Sequence, residues 1–490
     1  MKKLFLLIPF AIACTQTPDV EICKYKDDKQ AAVSLTFDDG IIDHATLVAP
    51  HLNDLGLRGT FWIIGKNVAT SPEFLGWNHI SSMARYGHEI SNHSWTHPDL
   101  TKLSPEEIEE EVRLCDEALA KALGGKKPRT FCFPFNAHNA VVDSICGAGR
   151  VGMRVFQEAQ GQVNSHSTPE SLRIWLQNTI DNGEWGVTMT HGIHNGWDQW
   201  NDEQVLWDFY EELAGRQDEV WVDTFGAVAS YIQERDNCTL KSSYKSGILT
   251  IEPECTLDPS LFTERLTVRA KSGKKTFLLE IDPFGGPQTF DLKDKLCGKS
   301  IIVFGDSYVR NHLRPYTESW HYKVAERHHM RYYNYGINGS SVAFDRTEEG
   351  FGSAMVKRYE TMVDADYVLV IAGHNDAGFV TRGEEYLTEF MKELDNLCSG
   401  LKEKYPHSKI GWVTPWGVDR DGFQTVIDAV KSTCARYGID VLDAAQTSGI
   451  NVNDPEFRKR YFQGPFDTAH LNADGHDLVV NWGDDFLKQL

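Results

Sequence analysis

The chain has 490 residues, which is too long for one ordinary hydrophobic core, so two or three domains are expected. With 41% hydrophobic and 24% charged residues, its composition is that of a globular protein. The net charge of −21 argues against binding to nucleic acid or to an anionic membrane surface, and it is compatible with a neutral or weakly charged substrate.

The amino terminus predicts export from the cytoplasm. Two lysines precede the apolar run Leu4–Ala13, which is too short to span a bilayer as a stable helix. The run ends in Ala-Ile-Ala-Cys, which resembles a bacterial lipoprotein processing site whose cysteine is lipidated. We therefore predict a signal peptide over 1–13, a lipid anchor on Cys14 and a short tether over 14–27. The protein would be held at the membrane only by that anchor, in the periplasm or at the cell surface. Ordinary signal cleavage nearby is the alternative.

Residues 28–236 alternate strand and helix patterns. The strand candidates are 31–37, 58–64, 130–135 and 186–191, and a helix is predicted over 104–123. That helix begins with a serine N-cap, a proline in the first turn and early glutamates, which are typical start signals. Repeated strand–helix units predict a parallel α/β barrel or sheet.

Two adjacent carboxylates, Asp38 and Asp39, follow the first of these strands in the segment TFDDG. Paired carboxylates normally need a metal, a shared proton or a cationic partner. His93 and His97 are four residues apart, which presents both imidazoles on one face of a helix or tight turn. Two imidazoles and one carboxylate suit Zn²⁺, and the second aspartate would then act as a base on water. Taken alone, such a histidine pair more often lies at the surface or in the packing.

The combination of TFDDG, HSWTH about 55 residues later and a strand-terminal His191 is more specific. It resembles the signature motifs of the NodB-type polysaccharide deacetylases, a metal-dependent carbohydrate esterase family with a distorted (β/α) barrel. The resemblance extends over about 28–235. It implies that Asp38 is the general base and His191 the general acid. The metal ligands implied are Asp39, His93 and His97.

The third motif of that family differs here. The segment FCFPFN places Cys132 where the family often has an arginine that orients the base, and Phe135 where it often has tyrosine. The resemblance therefore leaves Asp38 without its usual partner. The backbone N–H of Phe135 is still expected to hold the oxyanion, because this role does not need the hydroxyl.

Trp197 and Trp200 follow His191 closely along the chain. Polar residues surround both indoles. They are candidates for stacking on sugar rings, with packing in the core as the alternative.

Residues 238–294 change in character. The segments 247–253, 264–270 and 276–282 alternate apolar and polar residues and are separated by turn residues. This pattern predicts a small antiparallel β module. Because it contains no tryptophan, a structural linker is expected in preference to an independent sugar-binding domain.

Residues 296–490 form a second predicted α/β unit. Its apolar strands, 300–304, 366–373 and 409–415, are of the kind found in parallel sheets covered on both faces. The first strand ends in Gly-Asp-Ser, and a serine between a strand and a helix is well placed as a nucleophile. Near the chain end the segment DTAH has an aspartate three residues before a histidine, a spacing that lets the histidine act as base while the aspartate orients it.

Four blocks in this unit, GDS, NYGINGSS, GHND and DTAH, resemble in their order the SGNH (GDSL-like) hydrolases, which have an α/β/α three-layer fold. The resemblance implies no cofactor, and it implies a catalytic triad of Ser307, His470 and Asp467. The oxyanion hole would use the N–H groups of Ser307 and Gly339 and the side chain of Asn375. His374 replaces a glycine of the family and is expected to narrow the acyl pocket.

Two esterase-type units on one exported chain predict a bifunctional carbohydrate esterase acting on an acetylated polysaccharide or oligosaccharide. The N-terminal unit would use metal-activated water, and the C-terminal unit a serine acyl-enzyme. The alternative is a glycan-binding surface lipoprotein with only one active unit, a hypothesis that Cys132 encourages. The sequence identifies neither the polysaccharide nor the choice between N-acetyl and O-acetyl groups.

Overall fold

The computed structural model describes residues 18–490. The predicted signal peptide and Cys14 lie outside the described residues. Within 18–490, no helix combines the length and the apolar character needed to cross a bilayer. The described chain has a parallel α/β unit, an antiparallel β module and a second parallel α/β unit, which is the mixed α/β architecture predicted from the sequence.

The first strand, β1 (Asp19–Ile22), belongs to the β module. It pairs antiparallel with residues 268–271, which lie beyond the whole N-terminal unit along the chain. Val20 and Ile22 pack against the core of the module, while the alternating acidic residues Asp19 and Glu21 are exposed. The structure therefore differs from the tether predicted over 14–27, because residues 19–22 find backbone partners that no local pattern indicates.

The N-terminal unit is built around a curled parallel sheet. Its strands are β2 (Ala31–Phe37), β3 (Gly59–Ile63), β4 (Glu89–Asn92), β5 (Thr130–Cys132), β6 (Gly152–Arg154), β7 (Glu158–Ala159), β8 (Trp185–Met189) and β9 (Val220–Val222). Its helices are α1 (Ala49–Asp54), α2 (Trp77–Arg85), α3 (Pro105–Ala122), α4 (Ala140–Cys146), α5 (Pro169–Asn182), α6 (Gln204–Gly215) and α7 (Phe225–Asn237). The strand order is β6-β5-β4-β3-β2-β8-β7, and β9 also pairs with β2. Among the described strands β6 and β7 do not pair, so the predicted distorted barrel is an open half-barrel.

Short-range interactions fix the start of α3 and the end of β5 in this unit. The Ser104 hydroxyl accepts from the Glu107 N–H and the Glu107 carboxylate accepts from the Ser104 N–H, which fixes the start of α3 as predicted. Strand β5 ends at Cys132, earlier than predicted. Pro134 has no N–H to donate to a sheet, and the chain turns there with Phe135 in the left-handed region at φ 58°.

The β module follows α7 without a linker. Its further strands are β10 (Cys238–Lys245), β11 (Ile248–Cys255), β12 (Leu266–Ser272), β13 (Lys275–Ile281) and β14 (Gln288–Asp291). They form two three-stranded sheets, β1-β12-β13 and β10-β11-β14. Apolar side chains of both sheets share one core with Trp221 and Tyr231 of the N-terminal unit. The module is therefore packed onto the N-terminal unit and is not a free spacer.

The C-terminal unit has a five-stranded parallel sheet in the order β16-β15-β17-β18-β19. Its strands are β15 (Ser300–Gly305), β16 (Arg331–Gly336), β17 (Tyr367–Ile371), β18 (Lys409–Val413) and β19 (Asp440–Leu442). Its helices are α8 (Ser307–Arg310), α9 (Trp320–Arg327), α10 (Ala377–Val380), α11 (Glu384–Lys404), α12 (Phe423–Tyr437), α13 (Ala444–Thr447), α14 (Pro455–Tyr461) and α15 (Ala473–Gln489). The core strands β15 and β17 are buried along their whole length, as expected for a sheet covered on both faces.

Candidate functional sites

The site residues predicted in the N-terminal unit meet at the carboxyl end of its sheet. They lie just after the ends of four different strands, which is how parallel sheets bring distant residues together. Asp38 and Asp39 follow β2, His93 and His97 follow β4, Phe135 follows β5 and His191 follows β8.

Asp39, His93 and His97 form a cluster whose ligand atoms lie within 4.8 Å of one another. Asp39 Oδ1 is 3.5 Å from His93 Nε2 and 3.8 Å from His97 Nε2. That oxygen is buried and has no hydrogen-bond partner within residues 18–490. His93 Nδ1 lies 2.8 Å from the carbonyl of Cys132, an arrangement that leaves Nε2 as the free ligand atom. A tight turn, with His97 at φ 61°, brings the two imidazoles together. This donor set fits a divalent metal such as zinc.

The cationic partner of Asp38 is Arg154, the last residue of β6. Its guanidinium donates to Asp38 Oδ1 at 2.9 Å and to Asp38 Oδ2 at 2.5 Å. Arg154 is the register partner of Cys132 on the neighbouring strand, and it also contacts the Cys132 sulfur at 2.9 Å. The expectation that Asp38 lacks an arginine is therefore wrong: the guanidinium comes from the adjacent strand.

The ion pair with Arg154 keeps the buried Asp38 carboxylate ionised. Burial alone would raise the pKa of Asp38, but the Arg154 guanidinium, with His93 and His191 nearby, holds it below the ordinary value. Burial raises the pKa of the Cys132 thiol well above its usual range, so this cysteine is an uncharged neighbour of the ion pair.

His191 lies on the far side of Asp39, with its Nε2 3.9 Å from Asp39 Oδ2. The loop that carries it is fixed by Asp43, whose carboxylate accepts from three successive N–H groups, those of residues 193–195. His44 Nε2 contacts the carbonyl of His191 at 2.5 Å. Neither Asp43 nor His44 belongs to a motif singled out in the sequence, although both follow TFDDG within five residues.

Aromatic residues form the rim of this site. Phe135 is 70% exposed, its ring meets His97 edge to face, and its N–H donates no hydrogen bond within residues 18–490. Trp197 is 47% exposed and its ring centroid is 4.9 Å from that of His191. Trp200 is only 5% exposed and packs in the core of the unit. The stacking role predicted for Trp200 is therefore wrong, because the chain turns back into the core after Asp198.

The two tryptophans are expected to respond differently to replacement by alanine. Trp200→Ala should lower the free energy of unfolding by about 3–5 kcal/mol, because it leaves a cavity in the core. Trp197→Ala should leave stability within about 0.5 kcal/mol of the parent, as for most exposed positions. If Trp197 stacks on a sugar ring, its loss raises KM for a glycan. Thermal unfolding and steady-state kinetics on both variants separate the roles, and an unchanged KM for Trp197→Ala would exclude stacking there.

The three residues predicted as a triad in the C-terminal unit are in hydrogen-bond contact. His470 Nε2 is 2.8 Å from Ser307 Oγ, and His470 Nδ1 is 2.9 Å from Asp467 Oδ2. Asp467 Oδ1 accepts from the N–H groups of Ala469 and His470, which fixes the carboxylate under the imidazole. Although burial alone would raise the pKa of Asp467, the hydrogen bonds from His470 hold it below its usual range. This geometry suits a serine activated by a histidine that a carboxylate orients.

The predicted oxyanion groups follow the carboxyl ends of three neighbouring strands, with Ser307 after β15, Gly339 after β16 and Asn375 after β17. The N–H groups of Ser307 and Gly339 donate no hydrogen bond within residues 18–490. Gly339 has φ 75°, and a Cβ there would lie 2.2 Å from the ring of Phe351, so only glycine fits. The Asn375 amide donates to the Ser340 carbonyl at 2.8 Å and reaches Asp306 Oδ2 at 3.3 Å. An oxyanion would compete with Asp306 for the second amide hydrogen.

Two further histidines flank this site. His374 contacts the Tyr308 hydroxyl at 2.7 Å, so its side chain is held against the residue that follows the serine. His312 stacks on His470, with ring centroids 4.2 Å apart and an interplanar angle of 14°. Burial and the neighbouring His470 lower the pKa of His312, so it is a neutral cover for the triad histidine. No motif identified His312 in the sequence.

Comparison with known families confirms that the chain contains both kinds of domain, with the deacetylase match covering only part of the range over which the sequence shows the resemblance. Residues 25–155 match the family model described as polysaccharide deacetylase, and residues 303–478 match the one described as GDSL-like lipase/acylhydrolase.

Individual relatives match the N-terminal part. A chitin deacetylase of Arthroderma benhamiae is 26% identical over 164 residues, 33% of this chain and 43% of the relative. A chitooligosaccharide deacetylase of Bradyrhizobium is 37% identical over 105 residues, 21% of this chain and 46% of the relative. The chain thus spans less than half the length of these relatives. A solved family 4 carbohydrate esterase from Streptomyces lividans in complex with acetate is 23% identical, with a TM-score of 0.31 over 40% of this chain and 92% of that one.

Proposed function

We propose that this chain, which carries a polysaccharide deacetylase domain and a GDSL-like hydrolase domain, is a bifunctional carbohydrate esterase that removes acetyl groups from a glycan. The observation that carries the proposal is the presence of two separate hydrolytic arrangements, each at the carboxyl end of its own parallel sheet. One is the cluster around Asp39, and the other is the hydrogen-bonded series Ser307–His470–Asp467.

In the N-terminal unit, Asp39, His93 and His97 would hold a divalent metal, which supplies Lewis acidity to a water and a substrate carbonyl when bound. Asp38, fixed by Arg154, takes a proton from the attacking water. The Phe135 N–H donates to the developing oxyanion, and His191 gives a proton to the leaving group. Matched relatives named chitin and chitooligosaccharide deacetylases favour an N-acetylated sugar as the substrate of this unit.

In the C-terminal unit, His470 removes the proton from Ser307 as the hydroxyl attacks an ester carbonyl. The N–H groups of Ser307 and Gly339 stabilise the oxyanion. His470 then protonates the sugar hydroxyl that leaves, and water releases acetate from the acyl-enzyme by the same steps in reverse order.

We further propose that the protein is exported and anchored through a lipid on Cys14. The support is the charged and apolar pattern of the amino terminus and the cysteine at the end of its apolar run. Labelling with a radioactive or clickable fatty acid, lost in Cys14→Ser, tests the anchor.

Zinc content and N-terminal activity are expected to fall together in His93→Ala. Removal of one of two imidazole ligands should lower zinc affinity at least about 100-fold, since loss of even the hydrogen-bonding support of a ligand costs 10–100-fold. Elemental analysis of the purified full chain reports the metal, and acetate release from chitooligosaccharide reports the activity. Hydrolysis of p-nitrophenyl acetate through Ser307 should be unchanged. Full zinc occupancy in this variant would exclude the proposed ligand set.

The same assay tests the alternative of a glycan-binding protein with one inactive unit. The feature that favoured it, the missing arginine, is supplied by Arg154. If His93→Ala and Ser307→Ala each remove a distinct activity, both units are catalytic. If neither alters acetate release from any acetylated glycan, the proposed function is wrong.

A further inference from the structure

A cleft of about 870 Å³ lies between the N-terminal and C-terminal units. One wall is the amino-terminal side of the N-terminal sheet, namely the end of α2 and the loop 124–129 before β5. The opposite wall is formed from the segment 310–315, which begins with the last residue of α8, the helix that carries Ser307. The cleft is therefore at the end of the N-terminal sheet opposite to Asp39.

The cleft is strongly basic in a chain where 70 acidic residues outnumber 49 basic ones. Six of its lining side chains are cationic: Arg85, Lys126, Lys127, Arg129, Arg310 and Arg314. The only acidic residue in its lining is Glu89, whose carboxylate accepts hydrogen bonds from the Thr60 and Thr130 hydroxyls and the Gly226 N–H. The positive charge of the cleft is therefore not neutralised by its own walls.

Most of these cations also lack an ion-pair partner elsewhere. Arg129 pairs with Glu264 at 3.6 Å and Arg314 with Glu318 at 3.2 Å. The other four, Arg85, Lys126, Lys127 and Arg310, have no carboxylate within 4.0 Å among residues 18–490. Convergent cations without counter-charges create a positive potential that recruits anions.

Arg310 is already oriented at this surface. Its guanidinium donates to the carbonyl of Arg85 and lies 5.6 Å from the ring centroid of Tyr86 across the unit boundary. These contacts fix the side chain without neutralising it, which leaves a planar cation ready for a carboxylate or sulfate group.

The cleft leads to the triad. His312, Leu313 and Arg314 line it and also line a second groove of about 470 Å³ that includes Asp467. His312 is the residue stacked on His470. Leu313 is 68% exposed between the two grooves and offers an apolar surface for the face of a sugar ring. A polysaccharide bound in the cleft would thus pass close to His470, the proposed catalytic base of the C-terminal site.

We propose that the interdomain cleft binds the anionic backbone of an acetylated acidic polysaccharide and presents its O-acetyl groups to Ser307. The inference rests on the esterase function proposed for the C-terminal unit and specifies its substrate as anionic. It revises the expectation of a neutral or weakly charged substrate, because the net charge of −21 conceals a local cluster of the opposite sign. The N-terminal unit then has a second role, since its back surface forms one wall of the substrate site.

The first test is binding, which does not depend on catalysis. Full-length Ser307→Ala protein is titrated calorimetrically with polygalacturonate oligomers, with dextran sulfate oligomers and with neutral xylo-oligosaccharides. We expect binding of an anionic oligomer that weakens as salt screens the cleft, and no comparable binding of the neutral one. The two anionic probes distinguish uronate from sulfate recognition.

Charge reversal in the cleft supplies the matched comparison. Lys126→Glu/Lys127→Glu should weaken binding of the anionic oligomer on the order of tenfold or more, because two favourable charges become unfavourable. Lys274→Glu/Lys275→Glu makes the same change in net charge at two adjacent exposed lysines in the β12–β13 hairpin, outside the cleft. This control should bind like the parent.

The outcomes separate the two proposals. Equal weakening in both double variants, equal affinity for neutral and anionic oligomers, or preferred binding of a DNA duplex would overturn the cleft assignment. With active enzyme, the cleft variant should lose kcat/KM on acetylated polygalacturonate and keep its rate on p-nitrophenyl acetate. If no Ser307-dependent hydrolysis of either ester is found, the proposed function fails, while the binding comparison still decides whether the cleft takes an anionic glycan.

Discussion

Ser307→Ala is expected to abolish the C-terminal esterase activity, with kcat lowered on the order of 10⁴–10⁶-fold. The reason is geometric: His470 Nε2 is 2.8 Å from the Ser307 oxygen, so the base is in place and only the nucleophile is removed. Hydrolysis of p-nitrophenyl acetate and of O-acetylated glycan should both disappear. Stability should change little, because the side chain loses only one oxygen.

Two companion measurements make this expectation specific. A fluorophosphonate probe should label the parent chain once and the Ser307→Ala variant not at all. Asp39→Ala should retain this labelling and lose only the N-terminal deacetylation, because the two sites share no residue. Undiminished hydrolysis of both esters by Ser307→Ala would show that another residue supplies the nucleophile. In that event the hydrogen-bonded series Ser307–His470–Asp467 would be structural.

Much of this site could be predicted because its residues stand in short local motifs. Ser307 comes just after β15, a strand whose apolar residues predict that the strand is buried. Asp467 and His470 are only three residues apart. The same holds for Asp38 and Asp39, which close a strand predicted over 31–37 and observed over the same residues. In each case the functional residue stands within a few positions of the strand end or of the motif partner that identifies it.

What could not be predicted depends on which elements are neighbours in space. Residues 19–22 carry no sign of the strand to which they pair. Trp197 and Trp200 have similar polar surroundings in the sequence, yet one is exposed and the other buried. The basic cleft combines side chains more than 180 residues apart along the chain, from Lys127 to Arg310, and an overall charge says nothing about such a cluster.

The two candidate active sites are consequently independent in chemistry but not in structure. The cluster of Asp39, His93 and His97 lies at the carboxyl end of the N-terminal sheet, while the amino end of that sheet faces the segment 310–315 next to Ser307. Contacts such as Ser353 Oγ to Asp54, at 2.6 Å, join the units away from either site. Separating the units is therefore expected to leave the Asp39–His93–His97 cluster intact and to remove one wall of the cleft beside Ser307.

Arg154 belongs to no motif identified in the sequence, yet it is the ion-pair partner of the proposed base Asp38. Its guanidinium and the Asp38 carboxylate are both buried, and its Nη1 also donates to the Thr36 hydroxyl at 2.8 Å. Loss of one member of a buried ion pair leaves the other charge uncompensated, which typically costs about 3–5 kcal/mol. Without Arg154 the Asp38 carboxylate is free to shift, and a displacement of a catalytic base by about 1 Å can lower the rate on the order of 100-fold.

Arg154→Met should therefore lower kcat for deacetylation at least about 100-fold and also lower the melting temperature. Zinc content should stay near that of the parent, because Arg154 contacts none of the proposed metal ligands. Arg150→Met is the matched control: Arg150 is also a buried arginine and pairs with Asp116 at 2.8 Å away from the site. It should reduce stability and leave kcat near the parent value.

The exchange Cys132→Arg/Arg154→Cys asks whether the position of the arginine or only its charge beside Asp38 matters. Cys132 and Arg154 are register partners on β5 and β6, so the exchanged guanidinium starts from the neighbouring strand and faces the same carboxylate. We expect the double variant to recover at least about tenfold of the activity lost in Arg154→Met, since the charge-assisted hydrogen bonds to Asp38 are restored. If Arg154→Met deacetylates at the parent rate while folded, Asp38 needs no cationic partner, and its pairing with Arg154 serves stability alone.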